Sequence, residues 1–398
     1  IADTTVSELG VLTLDVDATD ADEDTLTYAL IEGPDNALIN EQTGEIWWGA
    51  PGLAPAEPVR FTVRATDGEL FDDETFEVTV TPDYLRVSSF APTANGFAVR
   101  FNRVFDVTTL NLYDGQTAGG PAGLGAADAI LATLGGARQL GSVVIDDDQR
   151  GFTFLKSGAT LAAGDYRATL ASGATALRDV HGRALDGDAN GAAGGDFVQT
   201  FSASGSSATL SIGDFMRGPG QAVNVPATGA GIPLRLTGPG ATGATSVSFE
   251  LGYDPALLDV SDVLAPAGAS VTTSGIGTGR ISVTVTLAAP LPAAGGDVAR
   301  LIASVPASAP YRATNVLDLS NVRVNGNAAG DNDGMQVVGY LGDATGDGVY
   351  TIDDVSRLMR VPAGADTGFA PWRLVDPNII GDFNNDGRLS ILDPLILR

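Results

Sequence analysis

Apolar and polar residues alternate with a period of two along most of the chain. In LTLDVD, Leu12, Leu14 and Val16 fall on one face and Thr13, Asp15 and Asp17 on the other, as a half-buried strand requires. RFTVRATDG, EVTVTP, GFAVRFN, GFTFL, DYRATLAS, SVSFELGYD, RISVTVTL and VLDLSNVRV read the same way, separated by Gly, Pro, Asn and Asp turns. Short strands at this spacing predict a string of β-sandwiches. Trp47 and Trp48 are neighbours in one such segment, so one must face a core and the other solvent. Helical periodicity is confined to the C-terminus, in IDDVSRLMR and SILDPLILR.

Composition sets the boundaries. Nine of the ten glutamates precede residue 80, Glu250 being the exception, whereas aspartate runs throughout; the first cut therefore falls near Pro82. The Ser/Gly-rich tract between Ser202 and Ser207 is a second linker. The β pattern stops near Tyr340, where Asp/Gly loops begin. The expected fold is mostly β, with sandwiches at 1–82, 83–204 and 208–339 and a small helical module at 340–398.

The 398 residues carry 49 acidic and 22 basic side chains, a formal charge of −27. Such a chain repels nucleic acid and anionic membranes. Cysteine is absent and His181 is the single histidine, which excludes Cys/His zinc sites, thiol nucleophiles and disulfides. Lys156 is the sole lysine, permitting at most one lysine isopeptide crosslink. No run approaches the ~18 apolar residues of a membrane helix. With neither an initiator Met nor a signal-like segment before Ile1, a mature or excised piece is expected.

Two twelve-residue segments carry the strongest chemistry, DATGDGVYTIDD from Asp343 and DFNNDGRLSILD from Asp382. Each has oxygen donors at positions 1, 3, 5, 9 and 12 and glycine at position 6, Gly348 and Gly387. Calcium takes six to eight oxygens, which alternate positions can supply, and glycine permits the sharp turn. The expected ligands of loop one are Asp343, Thr345, Asp347, the Val349 carbonyl, Thr351 and Asp354. Those of loop two are Asp382, Asn384, Asp386, the Arg388 carbonyl, Ser390 and Asp393.

The paired loops, each preceded by Gly-Asp and closed by Asp, resemble a type I dockerin over residues 342–398. Thr345, where that family usually has Asn or Asp, is a departure, as is a second helix stopping at Arg398. The resemblance implies two calcium ions and a cohesin partner. It also implies partner-binding residues Ile352, Asp353, Met359 and Arg360 in the first repeat and Ile391 and Leu392 in the second. The apolar ones could equally fill the module's own core.

Residues 208–339 resemble a cohesin through GQAVNVP (Gly220, Gln221, Val223, Val225, Pro226) and YDPALL (Tyr253, Asp254, Pro255, Leu258). That resemblance implies a nine-stranded jelly-roll-like sandwich that binds dockerins on one sheet face. Residues 1–82 resemble bacterial cadherin-like (dystroglycan-type) repeats, with Asp20, Asp22, Asp24 and Asp67 as candidate calcium ligands or a solvated acidic turn. Residues 83–204 resemble bacterial Ig-like domains. There Asp186, Asp188, Asn190 and Gly191 copy calcium-loop positions 1, 3, 5 and 6, with Asp196 displaced to position 11. His181 lies in a DVHGR turn with no nucleophile elbow nearby, which favours a structural role.

The expected function is therefore non-catalytic: a secreted, bacterial, extracellular or cell-surface structural protein stiffened by calcium. Its cohesin and dockerin would make protein contacts, including head-to-tail contacts with other copies. The alternative is the non-catalytic end of a secreted carbohydrate-active enzyme or adhesin, its dockerin serving another protein's cohesin.

Overall fold

The computed structural model describes residues 1–116, 123–226, 229–384 and 386–397; Arg398, at which the second dockerin helix was expected to stop, lies outside them. Two compact units are present, Ile1–Tyr84 and Leu85–Arg398.

The first unit is a sandwich. One sheet is ordered Thr4–Ser7, Phe71–Thr81, Val59–Thr66, Thr27–Glu32, and the other Val11–Leu14, Ile46–Gly49, Ala37–Ile39. Alternation does what it predicts: Leu12 and Val16 are buried and Thr13 exposed. Trp48 is in the core, edge-on to Phe61 at 5.4 Å, while Trp47 is 54% exposed.

The second unit holds three segments that share apolar surface. The first, from Leu85, is a sandwich of two four-stranded sheets. Their orders are Arg138–Gln139, Ala129–Thr133, Gly164–Leu170, Phe197–Ala203 and Gly141–Ile145, Gly151–Lys156, Gly96–Phe101, Val87–Thr93. Its core is rich in phenylalanine, with Phe97, Phe105 and Phe152 fully buried.

The second segment is a larger sandwich whose first and last strands both cross between its sheets. Thr209–Ile212 pairs in parallel with Gly330–Asn332 in one sheet, and Phe215–Arg217 with Gly334–Val338 in the other. A crossing leaves backbone N–H groups outside the ladder, and buried carboxylates take them up. Asp214 accepts from Met335 N and Asp333 from Leu319 N, both at 2.8 Å. Burial pushes Asp214 up to about 6 and Asp333 to about 7.

The third segment begins after Val338. Thr351 caps the helix Ile352–Arg360 with a reciprocal capping box to Asp354. A second helix, Pro377–Gly381, is capped by Asp376. The helical period read in SILDPLILR is corrected: Ile391 and Leu392 lie in a turn, and only a 3₁₀ helix follows, Asp393–Leu397. Pro394 lacks an N–H, and five residues are too few to propagate an α-helix. Ala344, Leu358, Phe369, Trp372, Val375, Ile380 and Leu389 pack with Met216, Met335, Val337 and Leu155, so this segment shares one core with both sandwiches.

Candidate functional site

The two Asp/Gly loops have the same internal hydrogen bonding. The position-1 carboxylate accepts from the position-6 glycine at 2.7 Å in each, Gly348 N to Asp343 Oδ2 and Gly387 N to Asp382 Oδ2. Position 5 accepts from position 7, Val349 N to Asp347 Oδ1 and Arg388 N to Asp386 Oδ1. Position 12 accepts from the amides of positions 3 and 9: Thr345 and Thr351 for Asp354, Asn384 and Ser390 for Asp393. Gly348 and Gly387 have φ of +81° and +84°, which explains glycine at position 6. Asp343, Asp354 and Asp393 are all fully buried.

This donor set is all oxygen and suits a hard cation. Among the described residues, however, no three His, Cys, Asp or Glu side chains lie close enough together to hold a metal ion; the carboxylates are engaged with loop amides instead.

Loop one is reached from outside. The Tyr311 hydroxyl donates to Asp343 Oδ2 and accepts from Tyr340 N at 3.0 Å. Burial and the adjacent carboxylate push the Tyr311 phenol up, so it stays a donor. Trp372 Nε1 donates to the Asp343 carbonyl at 2.7 Å, with its ring 6.0 Å from Tyr311. Neither residue was singled out from the sequence. The apolar stretch FAPWRLV between the two loops, which neither loop needs, was the available signal for Trp372.

That stretch is also what ties the third segment to the phenylalanine-rich sandwich of the same unit. Val143 N donates to the Leu374 carbonyl at 2.8 Å, Leu112 N to the Arg373 carbonyl at 2.9 Å, and Gly368 N to the Asp114 carbonyl at 2.9 Å. The Val143 strand is an edge strand, so the contact covers an otherwise open ladder.

Of the residues expected to bind a partner, Ile352, Ile391 and Leu392 are 72%, 61% and 65% exposed, and Asp353 is exposed. Met359 is half-buried, and Arg360 is paired with Asp366 at 2.6 Å.

The other candidates fall as follows. Asp186 repeats the first half of the loop pattern, accepting from Asn190 N and Gly191 N at 3.0 Å, with Asn190 Nδ2 on Asp188. Asp196 turns away to accept from Ser172 N. Asp20 accepts from Asp22 N and Asp24 N in a local turn. Asp20 and Asp67 line one cleft of about 500 Å³ with Asp17, Asp72 and Glu74; Asp22 and Asp24 are not in its lining. The amides of Leu70 and Glu69 hold the Asp67 carboxyl below its usual range. His181 is exposed, in a turn whose buried Asp179 accepts from His181 N and pairs with Arg183. Lys156 Nζ donates to the Ser157 and Ala159 carbonyls.

In the cohesin-like segment the motif residues are structural. Val223 and Leu258 are buried. Gln221 accepts from Gly218 N, and the Asp254 carbonyl from the Leu257 and Leu258 amides.

Residues 208–353 match the family model of the Cohesin domain, a range that extends past the last strand into loop one. This stretch is a non-catalytic protein–protein interaction module. Similar solved structures include the third cohesin of ScaC in complex with the ScaB dockerin from Acetivibrio cellulolyticus. It is 21% identical, covers 33% of this chain and 98% of that one, and has a TM-score of 0.28. A non-cellulosomal cohesin from the archaeon Archaeoglobus fulgidus is 16% identical, covering 35% and 95%, with a TM-score of 0.27. The cohesin module of a Clostridium perfringens family 33 glycoside hydrolase is 15% identical, covering 33% and 94%, with a TM-score of 0.26. No curated protein matches the sequence. No helix among the described residues is long and apolar enough to cross a membrane.

Proposed function

We propose that this chain is a calcium-dependent, extracellular, non-catalytic assembly protein in which residues 340–398 act as a dockerin. In this reading each Asp/Gly loop takes one calcium ion through the donors named above, and the ion's role is to fix the loop. The docking residues are Ile352, Ile391 and Leu392, received by the cohesin of a neighbouring copy, while this chain's own cohesin receives the next dockerin.

The observation that carries the reading is the pairing of exposed isoleucines. Ile352 and Ile391 occupy position 10 of the two loops, and both stay in solvent although the same segment buries Trp372 and Ile380. Large apolar side chains left in solvent together, beside a buried core, mark interaction surfaces. Such a contact between unlike surfaces of identical chains is heterologous and, unless it closes into a ring, generates a filament.

Light scattering on the purified chain at rising concentration, in millimolar calcium and in EDTA, tests this. The average mass should climb with concentration only in calcium. A monomer mass throughout rejects the filament, and binding of the monomer to a different protein's cohesin would then favour the adhesin or enzyme-terminus alternative.

A further inference from the structure

Tyr311 precedes the last strands of the larger sandwich, and its hydroxyl reaches past them to the first carboxylate of loop one; both residues lie within the cohesin-matching range. Asp343 is fully buried, and its two oxygens are divided between different partners. Oδ2 accepts from Tyr311 and from Gly348 N. Oδ1 accepts from Thr345 Oγ1 and from the amides of Gly346 and Asp347. Two donors on Oδ2, one from within the loop and one from the sandwich that precedes it, fix the carboxylate's rotation and direct Oδ1 into the loop. Trp372 holds the backbone of the same residue from the opposite chain direction.

On the reading that loop one binds calcium, we propose that Tyr311 is a positioning residue for that ion: a hydroxyl from the preceding sandwich that pre-orients the first ligand. Groups that orient metal ligands from outside the coordination sphere commonly carry tenfold or greater effects on affinity. The consequence is coupling. A calcium ion that prefers the Tyr311-held carboxylate also stabilises the seating of the third segment on the cohesin, and the coupling is the same in both directions. The Tyr311 hydroxyl is engaged with Asp343 and Tyr340 N rather than with loop two, so the affinity of loop two should not depend on it.

The experiment is calcium titration by calorimetry on the full chain in two backgrounds, Asp386→Ala to disable loop two and Asp347→Ala to disable loop one. Tyr311→Phe, which keeps the ring and removes only the hydroxyl, should weaken binding about tenfold in the first background. In the second it should change binding less than about twofold. Unchanged affinity in the Asp386→Ala background overturns the proposal and leaves the calcium reading standing. Equal weakening in both backgrounds also overturns it, because a general loosening of the fold would act on both loops. An unmutated chain that binds no calcium removes the calcium reading itself and the proposal with it. If Asp386→Ala does not fold, terbium luminescence sensitised by Trp372 in the otherwise unaltered chain reads loop one, and its midpoint must shift with Tyr311→Phe.

Discussion

Loop one and loop two are the same object locally and different objects globally. Their glycines, capping hydroxyls and carboxylates make matching hydrogen bonds, down to the 2.7 Å contact between positions 6 and 1. Yet loop one has Tyr311 and Trp372 on its first residue, Asp343, which is fully buried, while Asp382, the first residue of loop two, is half-buried. The difference teaches that a twelve-residue pattern encodes the shape of a loop, whereas its rigidity comes from what it is packed against.

The largest test of that contrast is Trp372→Ala. Trp372 is 2% exposed and joins the two sandwiches to loop one, so the second unit should lose about 3–5 kcal/mol by denaturant unfolding. A loss below about 1 kcal/mol would mean that loop one holds itself.

Calcium withdrawal should separate the loops next. Because loop one is also held through Asp343 by Tyr311 and Trp372, EDTA should expose residues 384–396 to protease well before residues 343–360. Simultaneous cleavage of both would erase the contrast.

A smaller effect is expected from pH. Asp333, beside the strand that leads into loop one, has a carboxyl raised from 3.8 to about 7, chiefly by burial. The folded state therefore holds a proton that the unfolded chain releases. Its stabilising contribution is complete below about pH 4 and lost as pH rises through about 7. Asp214, raised to about 6, acts in the same direction. The second unit should unfold more readily at pH 8 than at pH 5, and Asp333→Asn should flatten that slope; an unchanged slope would remove Asp333 from the account.

The smallest expected effect on stability is at the exposed face. Ile391→Asp and Leu392→Asp should each change unfolding free energy by no more than about 0.5 kcal/mol, while abolishing any calcium-dependent gain in mass. Retained assembly in both variants would place the docking surface elsewhere.

Much of this was legible in the sequence because it is local. Alternation located the strands, and the loop spacing located carboxylates whose bonds run within about five residues of one another or to position 12. SILDPLILR misled because apolar spacing was counted without weighing Pro394. Tyr311 was not legible: it meets Asp343 across 32 residues, a contact set by the antiparallel pairing of Thr314–Val324 with Gly334–Val338, beside the crossing of the last strand between sheets. The same holds for Asp214 and Asp333, ordinary turn aspartates in sequence, which in the fold satisfy amides left over at that crossing.

The most direct measurement is amide hydrogen exchange of Gly348 and Gly387 in EDTA. The two amides occupy the same loop position and make the same 2.7 Å bond to a position-1 carboxylate, so local structure alone would give them the same protection. If packing against Tyr311 and Trp372 is what holds loop one, Gly348 should exchange on the order of a hundredfold more slowly than Gly387 without calcium, and the two should converge when calcium is added. Equal rates in EDTA would contradict the account.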